Sequence, residues 1–410
     1  MLLQPREVEL VEAVRDLARK KFDERAPGYD RERRFPRENV DELVALGVHA
    51  LILPESVGGL GMGAAAMTRV MEEIAYADGS TAVAMNMHLL ISHFLRFLPF
   101  FPHANRVVED IARTGALICG PGSVPTSDLD NRKSGFRVRE VGDRFVLDGK
   151  AGFASMSEGA TYVMLGGWLE GSDSQEPRVV MGIPRIDSPG VRNLRNWDAM
   201  GMRATASHDI ECEGLEIPRD EAFVAPLSLM REGQKALGVD AMKLRSWGAL
   251  GILGLWVGLA QAAYDFTLDY VGKRHGYLAG NSQAGGEIGY RSNEAWAQIA
   301  IGRMDHWLYS GRVMLEDTVR RLDGPFDDVT HFTRHMVRTV YHLRRMSEEV
   351  AEDAMRTCGA HAYVSGSRLE RIYRDMVGSN VMAWKTDQLV HMMGMAALGK
   401  DITLAGPAGT

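Results

Sequence analysis

One glycine-rich segment has the residue types and spacing that could bind a phosphate group. Residues 58–63, GGLGMG, follow the apolar residues 51–53 and precede a helical pattern, with Asp78 at a plausible distance to contact a ribose. Pro54 and Glu55 interrupt the motif, and no strand–helix–strand unit surrounds it. A structural loop is therefore favoured over a dinucleotide site.

Other reactive residue types give weaker signals. His331 and His335 lie four residues apart on a predicted helix, but Phe-Thr-Arg stands between them without the glutamate of a metalloprotease. Solvent-facing or capping histidines are favoured, and no metal is predicted. The GxSxG segment of a serine hydrolase is absent from the sequence. The 23 methionines, clustered at Met392, Met393 and Met395, suit adaptable core packing or the lining of an apolar ligand site.

The elements that would position such residues fall into three predicted domains. Helical periodicity is typical of residues 1–112, and short alternating apolar runs with turn signals indicate antiparallel strands in residues 113–230. Long helices return in residues 231–410, with residues 278–292 predicted as a loop between helices. A helical block, a β block and a second helical block argue against a doubly wound sheet and favour an α+β fold whose sheet is a small barrel or sandwich.

Composition narrows the class of protein. Apolar residues make up 45% of the 410 residues and charged residues 25%, which is typical of a soluble globular protein with two or three subdomains. The net charge of -7 argues against a duplex nucleic-acid partner. Cys119, Cys212 and Cys358 are odd in number and far apart, which excludes a disulfide scaffold and fits a reducing compartment.

Two segments are candidates for a targeting signal or a membrane element. Residues 1–26 carry charges throughout and lack the apolar core of a signal peptide, so a cytoplasmic location is expected. Residues 247–264 carry no charge, but they fall short of the ~20 apolar residues that a membrane span needs. A helix buried in a bundle, without a membrane span, is predicted there.

Six segments taken together resemble the acyl-CoA dehydrogenase superfamily. They occur in the family's order over nearly the whole chain: LPESVGGLGMG, MEEIAYADGSTAVAMNMH, FVLDGKAGFASMSEGATYV, MGMRATASHDIECEGLEIP, LWVGLAQAAYDFTLDYVGKR and CGAHAYVSGSRLERIYRD. The resemblance implies an N-terminal helical domain, a central antiparallel β-barrel domain and a C-terminal four-helix bundle. It also implies FAD between sheet and bundle, completed by a neighbouring subunit of a homotetramer or homodimer. The usual reaction is α,β-dehydrogenation of an acyl thioester, in which a carboxylate removes the α-proton and hydride passes to the flavin.

The resemblance assigns flavin contacts residue by residue. Phe153-Ala154-Ser155 matches the family's Trp-x-Thr, so Phe153 is expected to pack on the isoalloxazine ring and Ser155 to hydrogen-bond near flavin N5. Arg274 is expected to reach the FAD pyrophosphate of a neighbouring subunit. Arg356 replaces a family glutamine and can still neutralise phosphate. The remaining residues implied at the flavin site are Ser127, Arg203, Ser207 and Gly359.

The position of the catalytic base departs from the family pattern. Ala383 stands where the resemblance places the usual glutamate, and alanine cannot accept a proton. The alternative position on the first long C-terminal helix falls near Gly248, again without a carboxylate. Asp387 and Glu158 are the nearest carboxylates by alignment, although a helix-start charge and an exposed loop residue are their simpler interpretations.

Three functions stay open at this point. The first is dehydrogenation of an acyl thioester, bound to CoA or a carrier protein, with a relocated base. The second is flavin-dependent monooxygenation of a small substrate, which needs no α-proton base. Several monooxygenases that resemble the family carry a histidine whose position falls near Met382 of this chain, which is not a histidine. The third is a non-catalytic partner subunit in a mixed α2β2 assembly. A flavin reductase or an electron-transfer flavoprotein is the expected redox partner.

Overall fold

The structure is a computed structural model that describes most of the chain. The described residues are 3–98, 101–122, 135–173, 175–226, 228–229, 239–278, 288–324, 328–382, 385–400 and 402. Two residues of the predicted site, Ser127 and Ala383, lie outside the described residues.

The N-terminal region is helical, and its first two helices are continuous. A π-helical turn at Ala18–Phe22 joins them, and Val11, Val14 and Phe22 on this long helix are buried. The helices are α1 (Pro5–Leu17), α2 (Asp23–Glu32), α3 (Arg37–Ala45), α4 (Ala64–Ala77), α5 (Gly79–Leu95) and α6 (Pro102–Thr114), with 3₁₀ turns at Val48–Ala50 and Glu55–Val57.

The glycine-rich segment, residues 58–63, is a closely packed loop. The backbone N–H of Gly61 donates to the Leu53 carbonyl across 2.8 Å. Gly58 has a φ of 99°, and a Cβ at Gly59 would lie 2.2 Å from the Leu53 oxygen. Both positions need glycine for the fold itself, which supports the structural interpretation of the motif.

The central region is a β-sheet. Seven strands pair in the order β7-β8-β3-β2-β5-β6-β9, while β1 and β4 form a separate parallel pair. The strands are β1 (Ile118–Cys119), β2 (Phe136–Val141), β3 (Arg144–Ala154), β4 (Tyr162–Val163), β5 (Leu165–Leu169), β6 (Arg178–Gly182), β7 (Val191–Asn193), β8 (His208–Pro218) and β9 (Ala222–Pro226).

The predicted order of helices, sheet and helices is confirmed, but the sheet differs from a closed antiparallel barrel. Among the described residues, the strand order ends at β7 on one side and at β9 on the other, so the sheet is open. Strands β2 and β5 also run parallel, with Phe136 opposite Gly167. Period-two alternation does not distinguish parallel from antiparallel neighbours, which is why the sequence could not show this pair.

The C-terminal region returns to helices. Helices α7, α8 and α9 pack against one another, and α12 packs on α9. A short β10–β11 hairpin occupies part of the predicted 278–292 loop, with a 3₁₀ turn at Arg291–Asn293. The elements are α7 (Val239–Lys273), β10 (His275–Tyr277), β11 (Ile288–Tyr290), α8 (Ala295–Asp323), α9 (Val329–Cys358), α10 (Ala360–Tyr363), α11 (Arg368–Val377), a 3₁₀ turn at Gly378–Asn380 and α12 (Thr386–Ala397).

Helix α7 packs against α4 as well as α8 and α9, and two of its glycines lie against the backbone of α4. A Cβ at Gly254 would lie 2.4 Å from the Thr68 carbonyl oxygen, and one at Gly258 would lie 2.2 Å from the Glu72 oxygen. Helix α4 can therefore approach α7 backbone to backbone. Residues 246–273 are long and apolar enough to cross a membrane by length and composition alone, yet 78% of their most apolar stretch is buried inside the protein.

Candidate functional site

The end of β3 presents an exposed aromatic ring beside a buried hydroxyl. Phe153 is 57% exposed and has a φ of 63°, whereas Ser155 is 8% exposed. The register between β3 and β8 shifts between Ala151 and Ala154, and such an irregularity re-aims side chains. A left-handed non-glycine residue costs about 1–3 kcal/mol. The Trp197 ring meets the Phe153 ring perpendicularly, with centroids 5.8 Å apart.

Three hydroxyl groups near the end of β3 are linked by hydrogen bonds, and we call them the hydroxyl series. Ser155 Oγ lies 2.7 Å from Ser207 Oγ, and Ser207 Oγ lies 2.6 Å from Thr205 Oγ1. Thr205 Oγ1 donates to the Met202 carbonyl oxygen across 3.0 Å. All three hydroxyl-bearing residues are buried, so their hydrogen bonds are made to one another and to the backbone.

The turn that carries Thr205 and Ser207 is attached to helices from both ends of the chain. A Cβ at Gly201 would lie 2.2 Å from the Arg374 carbonyl oxygen, so only glycine permits this contact with α11. Asp375 of α11 accepts a hydrogen bond from the Met202 N–H, and burial raises the pKa of Asp375 to about 7.

Helix α5 supports the same turn through its first residues. Asp78 caps α5 by accepting the N–H groups of Ser80 and Thr81 at 3.2 and 3.3 Å. Ser80 Oγ in turn accepts the N–H of Ala204 across 3.3 Å. Burial raises the pKa of Asp78. The hydroxyl series therefore depends on α5 as well as on α11.

Glu158, one of the two predicted base candidates, is hydrogen-bonded to the side chain of His208. His208 Nε2 lies 2.8 Å from Glu158 Oε1, and His208 Nδ1 accepts the Trp197 backbone N–H across 2.8 Å. Because Nδ1 is an acceptor, the ring proton resides on Nε2 and is donated to Glu158. That hydrogen bond lowers the pKa of Glu158, which makes this carboxylate a weaker base.

A second group of predicted residues lies at the junction of α7, α9 and α10. Arg274 Nη2 lies 2.9 Å from His361 Nε2. Gly359, with a φ of 65°, ends α9 beside them. The Arg356 guanidinium is exposed and lies 3.5 Å from Asp353. Arg274 therefore contacts a histidine, whereas Arg356 has an acidic partner.

The other predicted residues are dispersed. Arg203 lies beside the N-terminal helices, 4.0 Å from Asp30, and its Nε is buried without a hydrogen-bond partner among the described residues. Asp387 is exposed in the first turn of α12. The structure thus brings Phe153, Ser155 and Ser207 together, with Glu158 close by.

Sequence reasoning did not single out Thr205, Trp197, His208 or Asp375. Thr205 stands in the GMRxTxS pattern and could have been found there. Trp197 and His208 have no local motif, because they meet only when the 197–207 segment folds over the end of β3.

Comparison with known proteins places the chain in a family. The family model "Acyl-CoA dehydrogenase, N-terminal domain" matches residues 4–97, and "Acyl-CoA dehydrogenase, C-terminal domain" matches residues 250–380. The putative acyl-CoA dehydrogenase YdbM of Bacillus subtilis is 26% identical over 92% of this chain and 93% of its own length. The L-evernosamine nitrososynthase of Micromonospora sp. is also 26% identical, over 91% of this chain and 86% of its own length.

A solved structure shares the fold over almost the entire length. TdsC from Paenibacillus sp. A11-2, named dibenzothiophene monooxygenase, was solved with FMN and indole. That complex has a TM-score of 0.82 and 18% identity, and it covers 97% of this chain and 98% of its own. Together, the two family models, the full-length relatives and the ordered motifs show that this chain belongs to the acyl-CoA dehydrogenase superfamily of flavoenzymes.

Proposed function

We propose that this protein is a flavin-dependent monooxygenase. In that reaction, reduced flavin and dioxygen place one oxygen atom on a small substrate and release the other as water, and the flavin leaves the cycle oxidised. Membership of the family already makes the protein an oxidoreductase. The proposal concerns which of the family's reactions it performs.

The proposal rests on the residues that stand where a catalytic base would be needed and on the pKa and exposure of the nearest carboxylates. Dehydrogenation of an acyl thioester needs a general base at the substrate α-carbon, and the family resemblance aligns Ala383 with the glutamate that usually supplies it. Glu158 has its pKa lowered by the hydrogen bond from His208, and Asp387 is exposed at the start of α12. Oxygen insertion needs no α-proton base, so this arrangement supports it.

The end of β3 fits a flavin ring. Phe153 offers an exposed aromatic face, held at a left-handed φ and braced edge-on by Trp197. Planar aromatic systems stack on such faces. Ser155, directly after the last residue of β3, offers a buried hydroxyl. When bound here, reduced flavin would supply the two electrons that activate dioxygen, and the chain's own residues would hold and orient the ring.

Two of the relatives have names that indicate oxygen chemistry, which supports the proposal. One is named a nitrososynthase and the other a dibenzothiophene monooxygenase, and the latter was solved with FMN. We extend flavin binding to this chain, with an oxidisable nitrogen, sulfur or aromatic compound as the substrate class. FAD is the form that the dehydrogenase resemblance implies, and Arg274 is the residue that would contact its pyrophosphate.

An oxygen-18 experiment tests the proposal. The purified protein receives NADH, a flavin reductase and flavin under labelled dioxygen, with indole, dibenzothiophene and an amino sugar as probes. We expect a product that carries one labelled oxygen atom and forms only when the flavin is reduced. Complete anaerobic reduction of bound flavin by butyryl- or octanoyl-CoA within seconds, without any labelled product, would overturn it.

Acyl-thioester dehydrogenation is the second candidate, favoured by the full-length similarity to YdbM. It requires a relocated base, and Asp387→Asn and Glu158→Gln would then abolish reduction by acyl-CoA. Activity that appears only on co-expression with a glutamate-bearing homologue would instead indicate a non-catalytic partner subunit. A shared flavin contact through Arg274 also requires a dimer or tetramer, which light scattering would detect.

A further inference from the structure

The hydroxyl series has its protons fixed in one direction. Each hydroxyl has one hydrogen to donate and two lone pairs to accept with. The Met202 carbonyl oxygen can only accept, and it lies 3.0 Å from Thr205 Oγ1. Thr205 must therefore donate to Met202, because otherwise two oxygens without a hydrogen between them would face each other at that distance.

The direction of the other two hydrogen bonds in the hydroxyl series follows from the donation of Thr205 to Met202. Since the Thr205 hydrogen is used on Met202, the 2.6 Å contact requires Ser207 to donate to Thr205. Since the Ser207 hydrogen is then used, the 2.7 Å contact requires Ser155 to donate to Ser207. Every hydrogen in the series points away from the end of β3. Ser155 is left with lone pairs as its free hydrogen-bonding capacity.

We infer that Ser155 meets the flavin as a hydrogen-bond acceptor, so that this site binds reduced flavin more tightly than oxidised flavin. Reduced flavin carries a hydrogen on N5, whereas N5 of oxidised flavin has only a lone pair. A Ser155 hydroxyl that accepts a hydrogen bond stabilises the N5–H of reduced flavin and repels the N5 lone pair of oxidised flavin. The inference rests on the proposed function, which places the flavin ring beside Ser155.

This preference suits an enzyme that takes up reduced flavin from a reductase. Thr205 acts as the positioning residue, because it acts on the flavin only through Ser207 and Ser155. If its hydroxyl is removed, Ser207 has no acceptor at the buried end and can donate to Ser155. The Ser155 hydrogen is then released toward the flavin, which reverses the preference.

The experiment measures dissociation constants for oxidised and dithionite-reduced flavin under anaerobic conditions. The ratio of the oxidised to the reduced constant should exceed one in the wild type. Thr205→Val should lower this ratio about tenfold, which for a two-electron couple corresponds to a potential about 30 mV more negative. Thr205→Ser keeps the hydroxyl and should restore the wild-type ratio.

Ser157→Ala provides a matched control. Ser157 is 3% exposed and donates across 2.7 Å to the carbonyl of Ala206, which lies on the turn that carries Thr205, but Ser157 is not part of the hydroxyl series. Ser157→Ala should leave the ratio of the oxidised to the reduced dissociation constant within twofold of the wild-type value. If Thr205→Val does not fold, Ser155→Ala decides the sign, since removing an acceptor lowers the ratio and removing a donor raises it.

Each outcome bears on a different statement. A wild type that binds flavin in neither state overturns the proposed function and this inference together. A wild type that binds both states equally, or a ratio that rises in Thr205→Val or Ser155→Ala, overturns the inference alone. A ratio that falls equally in Ser157→Ala and Thr205→Val also overturns it, because the effect then reflects general loosening of the turn.

Discussion

The carboxylate of Asp375 accepts the backbone N–H of Met202 across 2.6 Å, inside a site where Asp375 is 2% exposed. Met202 has a φ of 52° and Ala206 one of 48°, so the turn between them holds two left-handed non-glycine residues. Such residues persist only where surrounding contacts over-determine them. This hydrogen bond is one of those contacts, and it links α11 to the hydroxyl series.

Asp375→Ala is expected to release the turn. Leaving the buried Met202 N–H without its acceptor costs about 1–3 kcal/mol of stability, and amide hydrogen exchange should accelerate at Met202 and Thr205 in the flavin-free protein. Asp375→Asn keeps an acceptor oxygen and should retain most of the protection. Glu73→Ala, which removes another buried carboxylate, should destabilise the fold without exposing these amides. Equal exchange in all three variants would contradict the assignment.

Asp375 also predicts a pH dependence of stability. Burial raises its pKa to about 7 in the folded protein, while the unfolded chain ionises near the ordinary value of about 3.9. The folded state therefore holds a proton that the unfolded state lacks, and stability falls as the pH rises from about 4 to about 7. The difference in unfolding free energy between wild type and Asp375→Asn should fall over that range in urea titrations. If the difference in unfolding free energy between the two proteins does not change with pH, the raised pKa of Asp375 is wrong.

The alanine at position 383 predicts slow chemistry with simple acyl-CoA substrates. Loss of a general base costs about 10²–10⁴-fold in rate, so anaerobic mixing with octanoyl-CoA should bleach the flavin of the wild type little or not at all. Ala383→Glu should recover part of that rate in stopped-flow absorbance. Ala383→Gln, equal in size but not a base, should recover none, and equal recovery in both variants would rule out base catalysis as the cause.

Arg274 predicts a choice between flavins. If it binds pyrophosphate, Arg274→Ala should weaken FAD binding about tenfold and change FMN binding little, since FMN lacks the pyrophosphate. Lys273→Ala is the matched control, because Lys273 is the neighbouring cation and pairs with Asp269 at 2.5 Å. Equal losses for FAD and FMN in fluorescence titrations would remove Arg274 from the pyrophosphate site.

Local motifs predicted the residues that lie along two paired strands. Phe153 and Ser155 belong to one quoted segment and Ser207 to another, and the pairing of Ala154 with His208 brings the segments together. The helical periodicity likewise predicted the helical regions on both sides of the sheet. These features follow from residues close in sequence, where spacing is informative.

Contacts between distant segments could not be predicted in the same way. Asp375 and Met202 are 173 residues apart, with the three longest helices between them in the sequence, and no spacing rule connects them. The role of His208 could not be predicted because a histidine within a strand has no sequence signature. Only the folded structure shows that the Trp197 backbone N–H donates to its ring. The β10–β11 hairpin was missed because three-residue strands such as Ile288–Tyr290 are too short for alternation to register.

The backbone contact between α4 and α7 also determines when the protein can fold during synthesis. Thr68 and Gly254 touch, yet the whole sheet lies between them in the sequence. A ribosome releases α4 with Met67, Val70 and Met71 uncovered, and their partner helix emerges only after the sheet has been made. Such late-closing contacts slow folding and leave apolar surface open to aggregation. The nascent N-terminal half therefore exposes the apolar face of α4 until the ribosome has delivered α7.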